Sequence, residues 1–116
     1  MTLVCKPCKD GDSPLTVTEI NLFLESVPKW NLSPDSVQKL TRTFVFKGFK
    51  GAMKLVTMLA DIAEEQQHHP DFCLHDYNQV TVTLFTHKIR GLHMNDFLLA
   101  QQIDAHFALL FPKLVR

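Results

Sequence analysis

The stretch Glu64–Pro70, with the sequence EEQQHHP, decides how this 116-residue chain is divided, because a long helical pattern stops there on two adjacent histidines. Proline lacks an N–H group and disfavours the α conformation of the residue before it, which predicts a helix end at or near His69. Both imidazoles should then lie at a helix C-terminus. The partial negative charge of that end favours a protonated histidine, so either ring is a candidate proton donor.

The pattern that this stretch closes has a period of about three and a half residues. Its apolar positions predict one face of a central helix: Phe49, Met53, Val56, Leu59, Ala60 and Ala63. On that helix Glu64 and His68 are one turn apart, close enough for the carboxylate to orient the imidazole, whereas His69 should point about 100° further round. The simplest structural interpretation is a surface pair for Glu64 and His68 and a helix cap for His69.

Two strand pairs flank this helix. Alternating apolar residues and turn formers predict strands at Trp30–Leu32 and Lys39–Phe46 before it, and at Phe72–Tyr77 and Val80–His87 after it. Within the second strand, Phe44 and Phe46 share a side and should face the core. His87 has the opposite parity to Val80, Val82 and Leu84. It is therefore predicted on the more polar face or at the strand end, available to a site.

Helices are predicted at both ends of this arrangement. Thr16 and Glu19 have the spacing of a capping box and should open the first helix, whereas Asp96 should open the last one after the break at Gly91. The last helix has a main apolar stripe and enough further apolar residues, such as Leu99 and Leu109, to suggest self-association. The sequence therefore predicts a two-layer α+β fold of order α-β-β-α-β-β-α, with three helices on one face of a four-stranded antiparallel sheet.

Composition excludes several classes of protein. Hydrophobic residues make up 46% of the chain, which fits one domain, predicted at residues 14–116 after a flexible N-terminal tail at residues 1–13. Twelve basic and twelve acidic residues cancel, so direct nucleic-acid binding is not expected. No apolar segment is long enough to span a bilayer. We expect a soluble, cytoplasmic protein without a membrane partner, with a nuclear location also open.

The cysteines and histidines suggest no metal site. Cys5 and Cys8 match C-x-x-C but lack the flanking elements of a zinc or thioredoxin motif, and Cys73 is interpreted as a small buried residue. A metal hypothesis would use the following histidines: His68, His69, His75 and His87. Their spacing is not that of known zinc sites. Isolated, Asp96 could be only a helix N-terminal acid, and Tyr77 a core or rim aromatic residue.

Taken together, Glu64-x3-His68-His69-Pro70, Tyr77-Asn78, Thr86-His87 and Asp96 form a specific combination. The chain resembles the pterin-4a-carbinolamine dehydratases over about residues 14–111. Departures are Lys29 before Trp30, a loop from Pro70 to Tyr77 that is one residue longer than in many members, and His93 as a helix cap.

The resemblance implies dehydration of 4a-hydroxytetrahydrobiopterin to quinonoid dihydrobiopterin and water, in tetrahydrobiopterin recycling, without a cofactor. It implies acid and base roles for His68 and His87, in an order that the sequence leaves open, although the helix end favours His68 as the acid. His69 would hold the pterin and Glu64 would orient His68. Asp96 would support the pocket, and Tyr77 would bind substrate or support the site.

The resemblance also implies partners. Family members form a dimer that extends the sheet and often a tetramer joined through helices, and an aromatic amino acid hydroxylase or a transcription factor is a further candidate partner. Some relatives act as dimerisation cofactors for a homeodomain transcription factor. A binding module of this kind is therefore the alternative function, although Lys50, Lys54, Thr57 and Asp61 on the central helix give no recognisable partner code.

Overall fold

Seven helices and strands follow one another in the predicted order. The computed structural model describes residues 14–33 and 37–112. Its elements are α1 (Val17–Leu24), β1 (Asn31–Leu32), β2 (Leu40–Val45), α2 (Phe49–Gln66), β3 (Asp71–His75), β4 (Gln79–Leu84) and α3 (Met94–Leu110), with a 3-10 turn at His87–Ile89 between the last two. The α+β class with three helices and four antiparallel strands is confirmed. The predicted tail and the Cys5–Cys8 motif lie outside the described residues.

The sheet has the strand order β1-β2-β4-β3, and every neighbouring pair is antiparallel. β2 and β4 form its centre, with Leu40 opposite Leu84 and Phe44 opposite Val80. These four side chains are buried beneath the helices, whereas the residues of opposite parity lie on the other face of the sheet. Phe46, just after β2, is also buried, so the predicted orientation of both phenylalanines is confirmed.

β3 lies at an edge of the sheet, with β4 as its neighbour. Cys73 pairs with Thr81 on the face away from the helices and is exposed, so its prediction as a buried residue is wrong. The sequence identified the strand but not its place at the edge. An edge strand leaves one row of backbone N–H and C=O groups without a strand partner, which is a surface suited to pairing.

The outer helices close the core over the sheet. The predicted capping box opens α1, with the Glu19 N–H donating to the Thr16 hydroxyl at 3.2 Å and the Thr16 N–H donating to the Glu19 carboxylate at 2.9 Å. Along α3, Leu99 is buried within this core rather than on a second surface, whereas Leu109 and Leu110 near the C-terminal end of the helix are exposed. The core thus covers the main apolar stripe of α3 and leaves apolar side chains at its C-terminal end on the surface.

A polar group anchors α3 to the first strand pair. Asp104 accepts a hydrogen bond from the indole N–H of Trp30 at 2.9 Å and one from Arg42 at 2.6 Å. Arg42 also lies over the rings of Phe44 and Phe107, with distances of 4.2 and 5.2 Å to the ring centroids. Trp30 is buried. This arrangement satisfies the polar atoms that the core encloses.

The central helix is rotated from its predicted orientation, although Leu59 and Ala63 of the predicted face are buried. Its buried residues are Ala52, Leu55, Met58, Leu59, Ile62, Ala63 and Gln66, whereas Phe49 is 54% and Met53 43% exposed. Apolar residues cover much of the helix circumference, so periodicity alone does not select the buried side. The buried side is selected by close packing against the end of β2. A Cβ atom added to Gly51 would lie 3.2 Å from the Cβ atom of Phe46, so the face of α2 that carries Gly51 approaches Phe46 closely.

The central helix also ends earlier than predicted. α2 stops at Gln66, and Gln67 adopts a left-handed conformation with φ of 55°. The backbone N–H groups of Gln67 and His68 both donate to the Ala63 carbonyl, which closes the last turn. His68 and His69 therefore lie beyond the helix rather than on it.

No helix in the described residues is long and apolar enough to cross a membrane.

Candidate active site

The carboxylate of Asp96 is the centre of a hydrogen-bonded group that joins three segments of the chain. Its Oδ1 atom lies 2.7 Å from Nε2 of His68. Its Oδ2 atom accepts a hydrogen bond from the Thr86 hydroxyl at 2.9 Å and one from the His93 N–H at 2.9 Å. Asp96 is fully buried. A buried carboxylate needs such donors or an opposite charge, because it has lost its water.

Local sequence explains why this carboxylate lies at the start of α3. His93 is the N-cap: its Nδ1 atom accepts from the Asn95 N–H at 3.1 Å, while Asp96 accepts from the His93 N–H. The histidine thus performs the capping role that Ser or Thr usually has. Asp96 is an acidic residue in the first turn of α3, as the simpler structural interpretation predicted, and it is also the hydrogen-bond partner of His68. The two roles are compatible.

His68 is held between the end of α2 and this carboxylate. Its backbone N–H is bonded to Ala63, and its side chain is only 13% exposed. An ionised carboxylate only accepts hydrogen bonds, so the Nε2–H group of His68 donates to Asp96. The second ring nitrogen, Nδ1, is then the atom through which His68 can exchange a proton with a ligand.

His87 lies on a short loop whose ends are held together. The Thr86 N–H donates to the Gly91 carbonyl at 2.8 Å, and a bridge between these two residues closes the loop around the 3-10 turn. Thr86 is buried and reaches Asp96, whereas His87, the next residue, is exposed. β4 ends at Leu84, so His87 lies just beyond the end of the strand. The strand end was one of the two positions predicted for it. His87 thus directly follows a member of the Asp96 group in the sequence.

A cavity of about 470 Å³ opens beside His87. Its lining residues are Val37, Lys39, Phe85, His87, Lys88 and Arg90. The His87 ring packs on the Phe85 ring with centroids 4.1 Å apart, and Nζ of Lys39 lies 4.5 Å from the Phe85 centroid. Within the described residues, the ring nitrogens of His87 form no hydrogen bond. Both are therefore available to a ligand, and the volume is in the range of small-molecule sites.

Residues 13–106 match a family model described as Pterin 4 alpha carbinolamine dehydratase. The chain belongs to this dehydratase family. A relative from Halorhodospira halophila, assigned by name to the pterin-4-alpha-carbinolamine dehydratases, is 40% identical over 101 residues, which cover 87% of this chain and 91% of the relative. A relative from Aromatoleum aromaticum with the same name is 41% identical over 100 residues, covering 86% of this chain and 88% of the relative.

A solved structure agrees with this assignment. The crystal structure of a protein from Brucella melitensis, described as a transcriptional coactivator/pterin dehydratase, superposes with a TM-score of 0.73 and 34% sequence identity. It covers 80% of this chain and 97% of the Brucella chain. The resemblance found in the sequence is therefore confirmed, and it supports the prediction of an enzyme of the hydro-lyase class.

Two of the dehydratase motif residues pair differently from the prediction. Glu64 does not orient His68, because α2 ends before His68 and the i, i+4 geometry of a helix is lost. Instead, Oε1 of Glu64 lies 3.5 Å from Nε2 of His69, and both side chains are largely exposed. The residue that contacts the His68 ring is Asp96. The predicted Glu64–His68 pair is thus wrong, and a more buried pair replaces it.

Tyr77 lies at the opposite end of the hairpin from His87. It occupies the turn between β3 and β4 with φ of 54° and is 65% exposed. The six residues of β4 separate it from Thr86, a length of roughly 20 Å at the rise of a strand. Within one chain, the structure therefore does not bring Tyr77 to the other site residues.

His75 also lies away from this site, at the turn end of β3. Its Nδ1 atom is 2.8 Å from the Asp76 carboxylate and its Nε2 atom is 2.8 Å from the Thr81 hydroxyl. The four histidines of the metal hypothesis thus do not converge. Among residues 14–33 and 37–112, no group of three His, Cys, Asp or Glu side chains is placed to hold a metal ion.

The sequence pattern did not indicate that Thr86 and His93 contact Asp96, or that Lys39, Phe85 and Arg90 lie near His87. The Thr86 side chain was detectable in principle, since it precedes His87 in the quoted motif. Lys39 was not, because its place beside Phe85 follows from the register of β2 against β4, in which Leu40 faces Leu84. A pairing of residues 44 positions apart in sequence leaves no local signal.

Proposed function

We propose that this chain dehydrates 4a-hydroxytetrahydrobiopterin to quinonoid dihydrobiopterin and water, in tetrahydrobiopterin recycling. The observation that carries the proposal is the contact between His68 and the buried Asp96, which Thr86 connects to His87. It supplies two histidines in different surroundings, one bonded to a buried carboxylate and one lining a cavity. An elimination that needs one proton donor and one proton acceptor requires such a pair. The family to which the chain belongs supports the same reaction.

His68 is the proton donor in this proposal. The C4a hydroxyl leaves as water once its oxygen has received a proton, and the C4a–O bond breaks with its electron pair on that oxygen. Nε2 of His68 is bonded to Asp96, so Nδ1 delivers the proton. The imidazolium form of His68 also compensates the charge of the buried carboxylate, which would otherwise rely on neutral donors alone.

His87 is the proton acceptor. It takes the proton from N5 of the pterin, and the electrons of the N5–H bond form the C4a–N5 double bond. Its ring has no hydrogen-bond partner in the described part of the chain and faces the cavity, so a ring nitrogen can meet this proton. After turnover, water returns one proton to His68 and removes one from His87.

His69 is the residue that holds the pterin. His69 precedes β3 at the end of the sheet where Phe85 follows β4. Lys39 lies at this end too, with its Nζ atom 4.5 Å from the Phe85 ring centroid. Glu64 supports His69 through their exposed contact, and Tyr77 retains a role only if a second copy brings it near.

The decisive experiment measures quinonoid dihydropterin by absorbance after 4a-hydroxytetrahydrobiopterin is freshly generated, with and without the protein. We expect a rate well above the uncatalysed background. A rate equal to background, from protein that is folded by circular dichroism, would refute the enzyme proposal. Metal analysis of the same preparation tests the alternative that the histidines bind a metal ion. Stoichiometric, tightly bound zinc would support that alternative.

A second candidate function, a binding module that acts as a dimerisation cofactor, is supported by one feature of α2. Phe49 and Met53 are exposed one turn apart, with the partly buried Val56 next along the same side. Exposed apolar residues in one row are typical of a protein-binding surface. The same surface, together with the edge strand β3, is where we place the contacts of a homodimer or homotetramer. A transcription factor or a hydroxylase would compete for one of these surfaces.

A further inference from the structure

The cavity beside His87 has an unusual charge for a chain whose net charge is zero. Three of its six lining residues are cations, Lys39, Lys88 and Arg90, and none of the six is acidic. Within the described residues, no carboxylate lies at ion-pair distance from Lys39 or Arg90. A concave site lined by charges of one sign concentrates the electrostatic potential. Three cations in this cavity should therefore attract anions.

The positions of these cations are fixed by the fold. Lys39 precedes β2, where its ammonium group is held over the Phe85 ring. Arg90 adopts a left-handed conformation with φ of 53°, and its N–H donates to the His87 carbonyl as the loop closes. The loop bridge between Thr86 and Gly91 thus places Arg90 on the same wall as His87.

The same cavity contains an aromatic surface. Phe85 and His87 pack against each other, which offers a flat apolar group a place to stack. A ligand that fits both features has a planar ring system and a negatively charged substituent. Guanidinium and ammonium groups bind phosphate oxygens through charge-assisted hydrogen bonds, and three cations suit a dianion better than a monoanion.

We propose that this cavity selects a pterin substrate whose side chain carries a phosphate group, with Lys39, Lys88 and Arg90 as the phosphate-binding residues. The inference rests on the proposed function, because it uses His87 as a catalytic residue of the same cavity. It deepens that function by naming, among the 4a-hydroxytetrahydropterins on which the dehydratase acts, the class that this cavity prefers over the uncharged tetrahydrobiopterin form. The pterin ring lies at Phe85 and His87, and the side chain extends toward the cations.

The test compares two substrates in the dehydration assay: the 4a-hydroxy forms of 6-hydroxymethyl-tetrahydropterin and of its monophosphate. We expect kcat/KM to be about tenfold or more higher for the monophosphate, with most of the difference in KM. In a Lys39→Gln/Arg90→Gln double variant this ratio should fall toward one. Lys29→Gln, which removes an exposed cation elsewhere, should leave the ratio as in the parent protein.

The outcomes separate the inference from the function on which it rests. Equal kcat/KM for both substrates, unchanged in the double variant, would overturn the phosphate proposal and leave the dehydratase intact. Turnover of neither substrate would refute the dehydratase itself. A ratio that falls equally in Lys29→Gln would also overturn the proposal, because it would reflect total charge rather than this cavity.

A binding measurement without turnover completes the test. Calorimetric titration with oxidised 6-hydroxymethylpterin, its monophosphate and inorganic phosphate should give the tightest binding for the monophosphate. This preference should disappear in the double variant. Inorganic phosphate or a short single-stranded oligonucleotide binding as tightly as the pterin monophosphate would assign the cavity to anions in general and contradict the proposal.

Discussion

Nε2 of His68 lies 2.7 Å from Oδ1 of Asp96, a carboxylate that the fold removes completely from solvent. The helix end before His68 and the helix start before Asp96 are 28 residues apart in sequence, and Thr86 of the intervening strand segment donates to the same carboxylate. This arrangement fixes one ring nitrogen of His68 and leaves the other for chemistry.

Replacing His68 by alanine should reduce dehydratase kcat by about 10²–10⁴-fold, the usual contribution of an acid or base catalyst. The fold should remain, because Asp96 keeps its hydrogen bonds from Thr86 and the His93 N–H. Stopped-flow absorbance gives kcat, and circular dichroism checks the fold. His106→Ala, on an exposed part of α3, serves as the matched control. Near-normal turnover by folded His68→Ala protein would remove His68 from the mechanism.

Asp96→Asn tests the positioning of His68. The amide is neutral, so it no longer compensates an imidazolium, and kcat should fall with little change in KM while the shape of the pH–rate profile changes. We also expect a loss of about 1–3 kcal/mol in unfolding free energy, since the buried group is left with an unmatched donor. Urea denaturation measures this loss. Asp104→Asn should be destabilised but keep the parental pH profile; a profile of Asp96→Asn equal to the parent would show a structural role only.

His87→Gln should lower kcat by about 10²-fold or more and leave stability nearly unchanged, because the His87 ring is exposed. Glutamine keeps the polarity and approximate size of the side chain but does not accept a proton at neutral pH. Rate measurements over pH distinguish the roles: the limb of the profile that belongs to the base should disappear. If this limb persists, another residue takes the N5 proton.

Glu64→Gln should change kcat by no more than about twofold, since an exposed contact at 3.5 Å contributes little. The measured effect should be smaller still in high salt, which screens exposed charges. A loss above about a hundredfold at unchanged fold would restore Glu64 as the residue that orients a catalytic histidine and would contradict the pairing described above.

A double substitution of Phe49 and Met53 by serine should weaken self-association without lowering the unfolding free energy by more than about 0.5 kcal/mol, because both side chains are exposed. Sedimentation velocity at micromolar concentration measures the oligomer. Leu22→Ser, also at an exposed apolar position, is the control and should not change the oligomer. A parent protein that sediments only as a monomer would contradict the predicted dimer or tetramer.

The order of helices and strands followed from sequence because it depends on local signals. Thr16 and Glu19 cap α1 as predicted, and the parity of Phe44 places it in the core. The rotation of α2 about its own axis could not be predicted from the sequence, because Phe49 and Leu55 are equally apolar. Only packing against Phe46 distinguishes the two sides of the helix. Local patterns determine which element forms, whereas contacts between distant segments determine how it is rotated.

The candidate site shows the same division. His68, His87 and Asp96 were identified from the motif, and the structure brings His68 to Asp96 and places Thr86, beside His87, on the same carboxylate. The prediction that Glu64 contacts His68 was wrong, because the left-handed conformation of Gln67 ends the helix before His68. A single residue conformation of this kind leaves little trace in the apolar pattern.

The three hydrogen bonds to Asp96 also have a kinetic consequence for folding. The bonds from His68 and Thr86 join residues 28 and 10 positions apart in sequence, so they form only after the sheet and α3 have come together. Helix formation and hydrophobic collapse precede such long-range contacts in time. During refolding, dehydratase turnover should therefore return later than the helical signal, and the enzyme's own substrate becomes a reporter of the last step in reaching the native state.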